Sequence, residues 1–220
     1  MKKLERVPAE LGAALAPNGL AALTPLTLAA LTAGRPMEDA HGEGLDASGR
    51  TWAVWKARGC VFERVSFSAA TIKSVKLRDV RFVACDFSNA VLLGCEAKRV
   101  EFVRCRMTGL KAVECQWESV LLDECEGRYA QFTDGAIRQS EFREGSWLEA
   151  DLRGAALSHT VFQRVPLRQA DLTHAHLEAA DLRGADLEGV RVRAEDVRGA
   201  IVTPAQALGW AHLLGLEIRG

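Results

Sequence analysis

The sequence predicts an all-β solenoid. Three observations carry that expectation. A five-residue period runs unbroken from Phe62 to Val202, small or apolar residues stand two places before nearly every member, and most charge falls on the other three places. Counting in fives gives Phe62, Phe67, Ile72, Leu77, Phe82, Phe87 and Leu92, and continues to Leu172, Leu177, Leu182, Leu187, Val192, Val197 and Val202. No member is charged. Two places earlier stand Cys60, Val65, Ala70, Val75, Val80, Cys85 and Ala90, and so on to Ala180, Ala185, Val190 and Ala200, with Glu195 as the exception. Residues five apart differ by about 140° around an α-helix, so a helix would scatter the large apolar residues over every face. A straight strand alternates with period two, so an odd step would flip each word to the opposite face. A short extended segment followed by a corner satisfies the pattern. Two side chains of each word then point inward, three point out, and corners turned the same way wind the chain into a coil.

The words ADLTH, AHLEA, ADLRG and ADLEG at residues 170–189 resemble the tandem A(D/N)Lxx words of the pentapeptide-repeat proteins. The resemblance covers roughly residues 60–204. It implies a right-handed quadrilateral β-helix with four words to a coil. Residues 20 apart should then stack at about 4.8 Å, and seven coils would span roughly 35 Å. Phe62, Phe82, Phe102, Phe142 and Phe162 fall in one column, broken by Leu122. Ala97 precedes Trp117 by one coil, Ala112 precedes Phe132, and Gly127 precedes Trp147. A close-packed interior makes room for an extra ring by shrinking its neighbour, so Trp147 should lean toward Gly127.

The ends break the period. Residues 1–44 carry no five-residue register and are expected to form a helical N-terminal extension. It would hold one helix from Ala9 to Ala16 and another from Pro25 to Ala33, separated by Pro17-Asn18-Gly19. Residues 45–59, with Trp52 and Trp55, are expected as an irregular first turn, and residues 60–204 as the solenoid proper. Residues 205–220 form the C-terminal cap: Thr203-Pro204-Ala205-Gln206 is a capping box with proline at the first helical position. Leu208, Ala211 and Leu214 follow at helical spacing, Gly215 suits the stop, and Leu216-Glu217-Ile218 could be a short strand. Outward Val83 and Val103 should stack on one face, and Leu93 and Val113 on the opposite one. One of these stripes is expected to dock the N-terminal arm.

Composition excludes several functions. The chain has 220 residues, 48% hydrophobic and 6% aromatic, with a net charge of -1, so it is not a strongly basic nucleic-acid binder. Glu5, Arg6, Pro8 and Glu10 interrupt any apolar leader core, and no run of 18 uncharged apolar residues exists to span a membrane. A cytoplasmic location is expected, with no direct nucleic-acid or membrane partner. All six cysteines, Cys60, Cys85, Cys95, Cys105, Cys115 and Cys125, fall on the small inward place. They read as compact buried hydrophobes; a disulfide or a metal site among stacked cysteines is the alternative. There is no Gly-rich phosphate loop, no GxSxG and no HExxH. His159, His174 and His176 read as solvated, with zinc binding or catalysis as the alternative. Asp171, Asp181 and Asp186 should bond local backbone at corners. A non-enzymatic chain without cofactor or metal is therefore expected.

Charge is polarised along the chain. Residues 60–117 hold six acids and ten bases, a balance of +4, and residues 118–189 hold 14 acids and 7 bases, a balance of -7. The C-terminal tail resembles that of pentapeptide-repeat proteins which protect DNA gyrase from inhibitors. That resemblance implies a homodimer through the C-terminus, with Trp210, Leu213 and Leu214 at the contact. It also implies mimicry of duplex DNA toward DNA gyrase or topoisomerase IV. Asp123, Glu124, Glu126, Asp134, Glu141, Glu144, Glu149 and Asp151 would supply the imitation phosphates. Two departures stand beside this: Arg128, Arg138, Arg143 and Arg153 interrupt the acidic half, and an unbroken register leaves no projecting loop. The alternative is a structural or scaffolding module with an unrelated protein partner.

Overall fold

The computed structural model describes residues 23–215 and 217. Within them the chain winds into a parallel β-solenoid of about eight turns. Strand β1 (Thr24–Pro25) and helix α1 (Leu28–Thr32) lead into β2 (Met37–Glu38), β3 (Ala40–Glu43), β4 (Thr51–Trp52), β5 (Trp55–Arg58) and β6 (Val61–Glu63). Next come β7 (Thr71–Ile72), β8 (Val75–Val83), β9 (Val91–Leu92), β10 (Cys95–Val103) and β11 (Gln116–Asp123). The ladder continues with β12 (Ala136–Arg138), β13 (Glu141–Arg143), β14 (Val161–Pro166) and β15 (Asp181–Asp186), and ends at helix α2 (Pro204–Trp210) and a 3-10 turn (Ala211–Leu214).

The twenty-residue step is the register of the ladder. Trp55 pairs with Val75, Leu77 with Ala97, Phe82 with Phe102, Ala97 with Trp117, and Phe142 with Phe162. One irregularity interrupts it: Val161 pairs with Asp181 and Gln163 with Gly184, and the step returns at Val165 and Ala185. Glycine is required at that bulge, because a Cβ on Gly184 would lie 2.6 Å from the Phe162 carbonyl oxygen.

A left-handed residue makes the corner. It recurs every fifth place, as in Arg64 (φ 51°), Ala69 (φ 54°), Ala84 (φ 51°) and Asn89 (φ 55°). At Phe67–Ala70 the Ala70 N–H donates to the Phe67 carbonyl at 3.0 Å, with Ala69 as the third residue of the turn, the place where a type II turn needs positive φ. The long strands bend through their own corners at Asp79, Arg99 and Ser119. Left-handed backbone costs a non-glycine residue about 1 kcal/mol. The chain bears this at 21 described non-glycine positions, because each corner aligns the next word for ladder hydrogen bonding.

The interior is solid and runs the length of the rod. Phe62, Phe82 and Phe102 stack at 5.1 and 4.9 Å with interplanar angles of 13° and 9°. Where Leu122 breaks that column, Trp117 stacks on Phe102 at 5.5 Å. Phe132 packs on Trp117, Trp147 on Phe132, and Phe142 on Trp147 at 4.8 Å, before Phe142 and Phe162 resume the column at 4.7 Å. Gly127 makes room for Trp147: a Cβ there would overlap the six-membered ring, with even its third-nearest atom at 2.8 Å.

All six cysteines are free and buried. Five of the thiols also donate to a carbonyl 23 residues back, as Cys85 does to Phe62 at 3.3 Å, Cys105 to Phe82 at 3.6 Å and Cys125 to Phe102 at 3.4 Å, while the Cys95 sulfur accepts from the Trp117 indole N–H at 3.3 Å. Thr160 occupies the same inward place and donates to the Ile137 carbonyl at 2.5 Å, again 23 residues back. The small inward place thus takes cysteine or threonine, with its one donor satisfied, as well as alanine and valine.

The N-terminal boundary departs from expectation. Paired strands begin well before residue 60, with Met37 opposite Ala57 and His41 opposite Val61. Thr51 pairs with Thr71, and Asp46 bridges to Ser66, so residues 45–59 form an ordinary coil rather than an irregular turn. The helix expected from Pro25 is shorter. Thr24 and Pro25 pair with Ala40 and His41, and the helix is capped at Thr27, whose side chain accepts from the Ala30 N–H at 3.2 Å. Leu31 is buried, and Leu26 and Leu28 pack on the core. This part of the arm therefore closes the end of the stack instead of lying on a lateral stripe. The helix expected at Ala9–Ala16 lies outside the described residues, and so does most of the strand expected at Leu216–Ile218.

Candidate partner-binding faces

The corners divide the surface into four long faces, each offering two outward side chains per word. The acidic residues singled out from sequence are spread around the rod. Asp123 and Glu141 lie on one face, with Glu124 and Glu144 at its corner. Glu126 belongs to the next face, bridging Arg106 and Ser146, and Asp151 to the following one, opposite Gln131. Glu149 and Asp134 occupy further corners.

Arginines neutralise most of them. Arg143 reaches Glu141 at 2.7 Å and Asp123 at 3.6 Å. Arg128 holds Glu149 at 2.7 Å, Arg153 holds Asp151 at 2.7 Å, and Arg164 holds Glu144. The hydrogen bond from Arg128 keeps the Glu149 carboxyl below the usual carboxylate range. Burial pushes Asp151 upward, and the bonds from Arg153 outweigh it and hold it low. Among the described residues, Glu124, Glu126 and Asp134 have no ion pair. The arrangement is a mosaic of paired charges rather than an anionic stripe.

A second surface was not singled out from sequence. A groove of about 750 Å³ runs along the face that carries β5, β8, β10, β11 and β12, from Met37 to His159. Its floor includes Ala57, Leu77, Ala97 and Trp117, and its walls carry Lys56, Arg58, Lys76, Arg78 and Lys98 together with Glu38, Glu96 and Glu118, Glu38 standing opposite Arg58. Lys56 faces Lys76 and Arg58 faces Arg78 directly across the β5–β8 pair. Such like-charge pairs weaken a sheet. Glu96 offsets Lys76 at 3.1 Å and Glu118 offsets Lys98 at 2.7 Å, whereas Lys56 and Arg58 have no ion pair among the described residues. The signal lay in the sequence as cations spaced by twenty. It becomes visible only once that step is known to stack side chains.

The aspartates before the central leucines act locally. Asp171, Asp181 and Asp186 accept backbone N–H bonds from Thr173, Arg183 and Glu188 at 3.0–3.2 Å, the two-residue turn expected of this side chain. His159, His174 and His176 are exposed.

The C-terminal cap is built by Gln206. Thr203 and Gln206 form a reciprocal capping box with bonds of 3.2 and 2.8 Å. The Gln206 amide also donates to the Leu182 and Ala185 carbonyls at 2.8 and 2.9 Å. One side chain therefore starts α2 and ties it to the last coil. Gly215 ends the following turn at φ 70°. Trp210 packs partly against the core, Leu213 is half-buried, and Leu208 is 60% exposed. The Leu214 side chain is outside the described residues. No helix among the described residues is long and apolar enough to cross a membrane.

Comparisons with known proteins follow the same lines. A family model described as a pentapeptide repeat region matches residues 56–132 and 75–152, and one described as pentapeptide repeats in eight copies matches residues 150–189. No curated protein matches the chain. Among solved structures, full-length QnrB1, a plasmid-mediated fluoroquinolone resistance protein, is 21% identical over 88% of this chain and 95% of its own, with a TM-score of 0.35. HetL, a pentapeptide repeat protein involved in heterocyst differentiation regulation in the cyanobacterium Nostoc sp. strain PCC 7120, is 17% identical over 76% of this chain and 86% of its own, with a TM-score of 0.32. A pentapeptide repeat protein of the Arabidopsis thaliana thylakoid lumen is 17% identical over 50% of this chain and 74% of its own, with a TM-score of 0.34. Register, left-handed corners and matched repeats agree, and the chain belongs to the pentapeptide-repeat family.

Proposed function

We propose that this protein is a non-catalytic binding rod that holds a protein partner along its long faces. The observation that carries the reading is the cationic groove, where like charges are kept directly opposed over a floor formed by β5, β8, β10 and β11. Opposed cations reduce stability and gain from an anionic surface laid across them. The partner face is accordingly acidic. Reversing two of the charges, as in Lys56→Glu with Arg58→Glu, is expected to abolish capture of the cross-linked partner while the thermal midpoint stays within a few degrees. Undiminished capture would overturn the groove as the docking face.

The excess of -7 over residues 118–189 favours a second reading. Here the acidic half imitates DNA toward DNA gyrase or topoisomerase IV and protects the enzyme from inhibitors. Two copies would join through the C-terminus, with Trp210, Leu213 and Leu214 at the contact and the site of action in the cytoplasm. The unpaired Glu124, Glu126 and Asp134 would make the first contacts. A supercoiling assay with and without a gyrase poison tests it: protection, or inhibition that weakens with salt, supports mimicry. Inertness at high micromolar protein removes it and leaves the scaffold reading. Sedimentation separates monomer from dimer in the same preparation.

A further inference from the structure

Three side chains near the N-terminal end of the ladder converge without a role in either reading. His41 and Glu43 project from the same side of β3, two residues apart, and Glu63 lies directly opposite Glu43 on β6. The His41 Nε2 and a Glu63 carboxylate oxygen are 3.1 Å apart, and one ligating atom from each of the three residues lies within 4.8 Å of the others. We propose that His41, Glu43 and Glu63 form a binding site for a divalent transition-metal ion of the zinc class.

The chemistry favours a cation here. Two carboxylates face each other across a parallel pair, an arrangement that weakens the sheet unless a positive charge lies between them. One imidazole nitrogen with two carboxylate oxygens suits zinc and its first-row neighbours, and the imidazole disfavours magnesium and calcium, which take oxygen ligands. Ligands at about 2.0–2.2 Å from zinc in a tetrahedral site stand about 3.4 Å from one another. The His41–Glu63 contact is within a few tenths of an ångström of that separation, so the ion requires those two atoms to exchange their hydrogen bond for the metal and open slightly while Glu43 closes in. Strands fix the geometry: His41 and Glu63 side chains are 13% and 17% exposed, and Gly42 between the two β3 ligands lets Phe62 pack beneath, where a Cβ would approach the ring at 3.1 Å. Glu43 is the exposed member. It is 51% exposed and pairs with Arg64, itself 61% exposed. An exposed pair of this kind is worth about 0–1 kcal/mol, so a metal ion displaces Arg64 readily. Three protein ligands leave a fourth position open to water.

The experiment is a chelator-competition titration of the full chain with Zn²⁺, with Co²⁺ as an optical probe of coordination, run beside metal-free thermal melts. The expected result is one site per chain. Affinity should fall at least about tenfold in His41→Ala and in Glu63→Gln, and less in Glu43→Gln. Arg64→Ala should bind more tightly than the parent chain, because it frees Glu43; a site built on other histidines or on the cysteines would not respond to that change. Equal affinity in the parent and His41→Ala, or weaker binding in Arg64→Ala with an unchanged metal-free melt, overturns the proposal. So does the absence of saturable binding at high micromolar Zn²⁺.

Discussion

The two halves of the rod fill the same cross-section by different means. From Phe62 to Phe102 five of the nine central places carry rings, the others being Ile72, Leu77, Leu92 and Ala97, and three of the small places carry thiols. From Leu152 to Leu182 the central places are leucines apart from Phe162, and the small places are alanine except at Thr160 and Val165. The aromatic half gains ring-on-ring contact between successive coils at 4.8–5.1 Å. The aliphatic half relies on uniform volume. Between them, at Ala97, Ala112 and Gly127, the central place shrinks so that Trp117, Phe132 and Trp147 can carry the packing across. A coil therefore does not require a particular residue at each place. It requires a volume that its two neighbours complement.

Substitutions can sharpen or break that contrast. The largest loss is expected from Phe82→Ala, about 4 kcal/mol in urea denaturation, against about 3 kcal/mol for Leu172→Ala. The difference reflects the rings of Phe62, Phe102, Phe67 and Phe87 around Phe82. Equal losses would mean that the aromatic contacts add nothing beyond volume. Gly127→Ala should cost about 2–3 kcal/mol, and much less in a Trp147→Leu background, because the three atoms nearest the new methyl group all belong to the Trp147 indole. Additive costs in the double variant would refute the complementary pairing.

Smaller effects separate polar from apolar contributions. Thr160→Val should cost about 1–2 kcal/mol, since it removes the hydroxyl that donates to the buried Ile137 carbonyl. Asp196 accepts bonds from Arg193 at 2.7 and 3.0 Å, and that contact holds its carboxyl down to about 2. A carboxyl depressed in the folded chain stabilises above its unfolded value of about 3.9, and the gain is lost as pH falls toward 2. Asp196→Asn should therefore be about 1–2 kcal/mol less stable than the parent from neutral pH down to about 4, with half-exposed Arg193 limiting the effect. The gap should close between pH 4 and 2; a gap that persists at pH 2 rules out this linkage. The least energetic test is chemical. Burial pushes the Cys60 thiol up to about 11 and raises Cys85 and Cys105, so these three thiols should resist alkylation at neutral pH until the chain is denatured, whereas the contact with Cys95 lowers Cys115. Rapid labelling of Cys60, Cys85 or Cys105 in the native protein would show that the thiol columns open.

The period, the stacked columns and the Trp147–Gly127 exchange were legible because volume leaves a trace in sequence. The first coil was not, for the same reason inverted. Trp55 occupies the small place, and Gly42, Ala47 and Ala57 occupy the large one, so the register continues with its sizes exchanged except at Trp52. The identity of the corner residue was also hidden. Glycine or asparagine marks it at Gly59, Asn89, Gly94 and Gly109, whereas Arg104, Glu124, Gln139 and Glu149 adopt the same left-handed backbone with no compositional sign. Charge balance located an acidic half and the arginines that interrupt it, but not which acid each arginine holds. Those pairs depend on which outward places become neighbours after folding, as do the cations of the groove.

The left-handed corner also governs how such a chain can change in length. Loss of one whole circuit would shorten the rod and leave every later side chain on its original side. Loss of a single word would rotate everything downstream by a quarter turn, carrying the groove's lower wall to an adjoining side while the interior stayed filled. Small deletions in this architecture can therefore redirect which surface meets a partner without unfolding the protein, and binding specificity can drift by rotation rather than by replacement of residues.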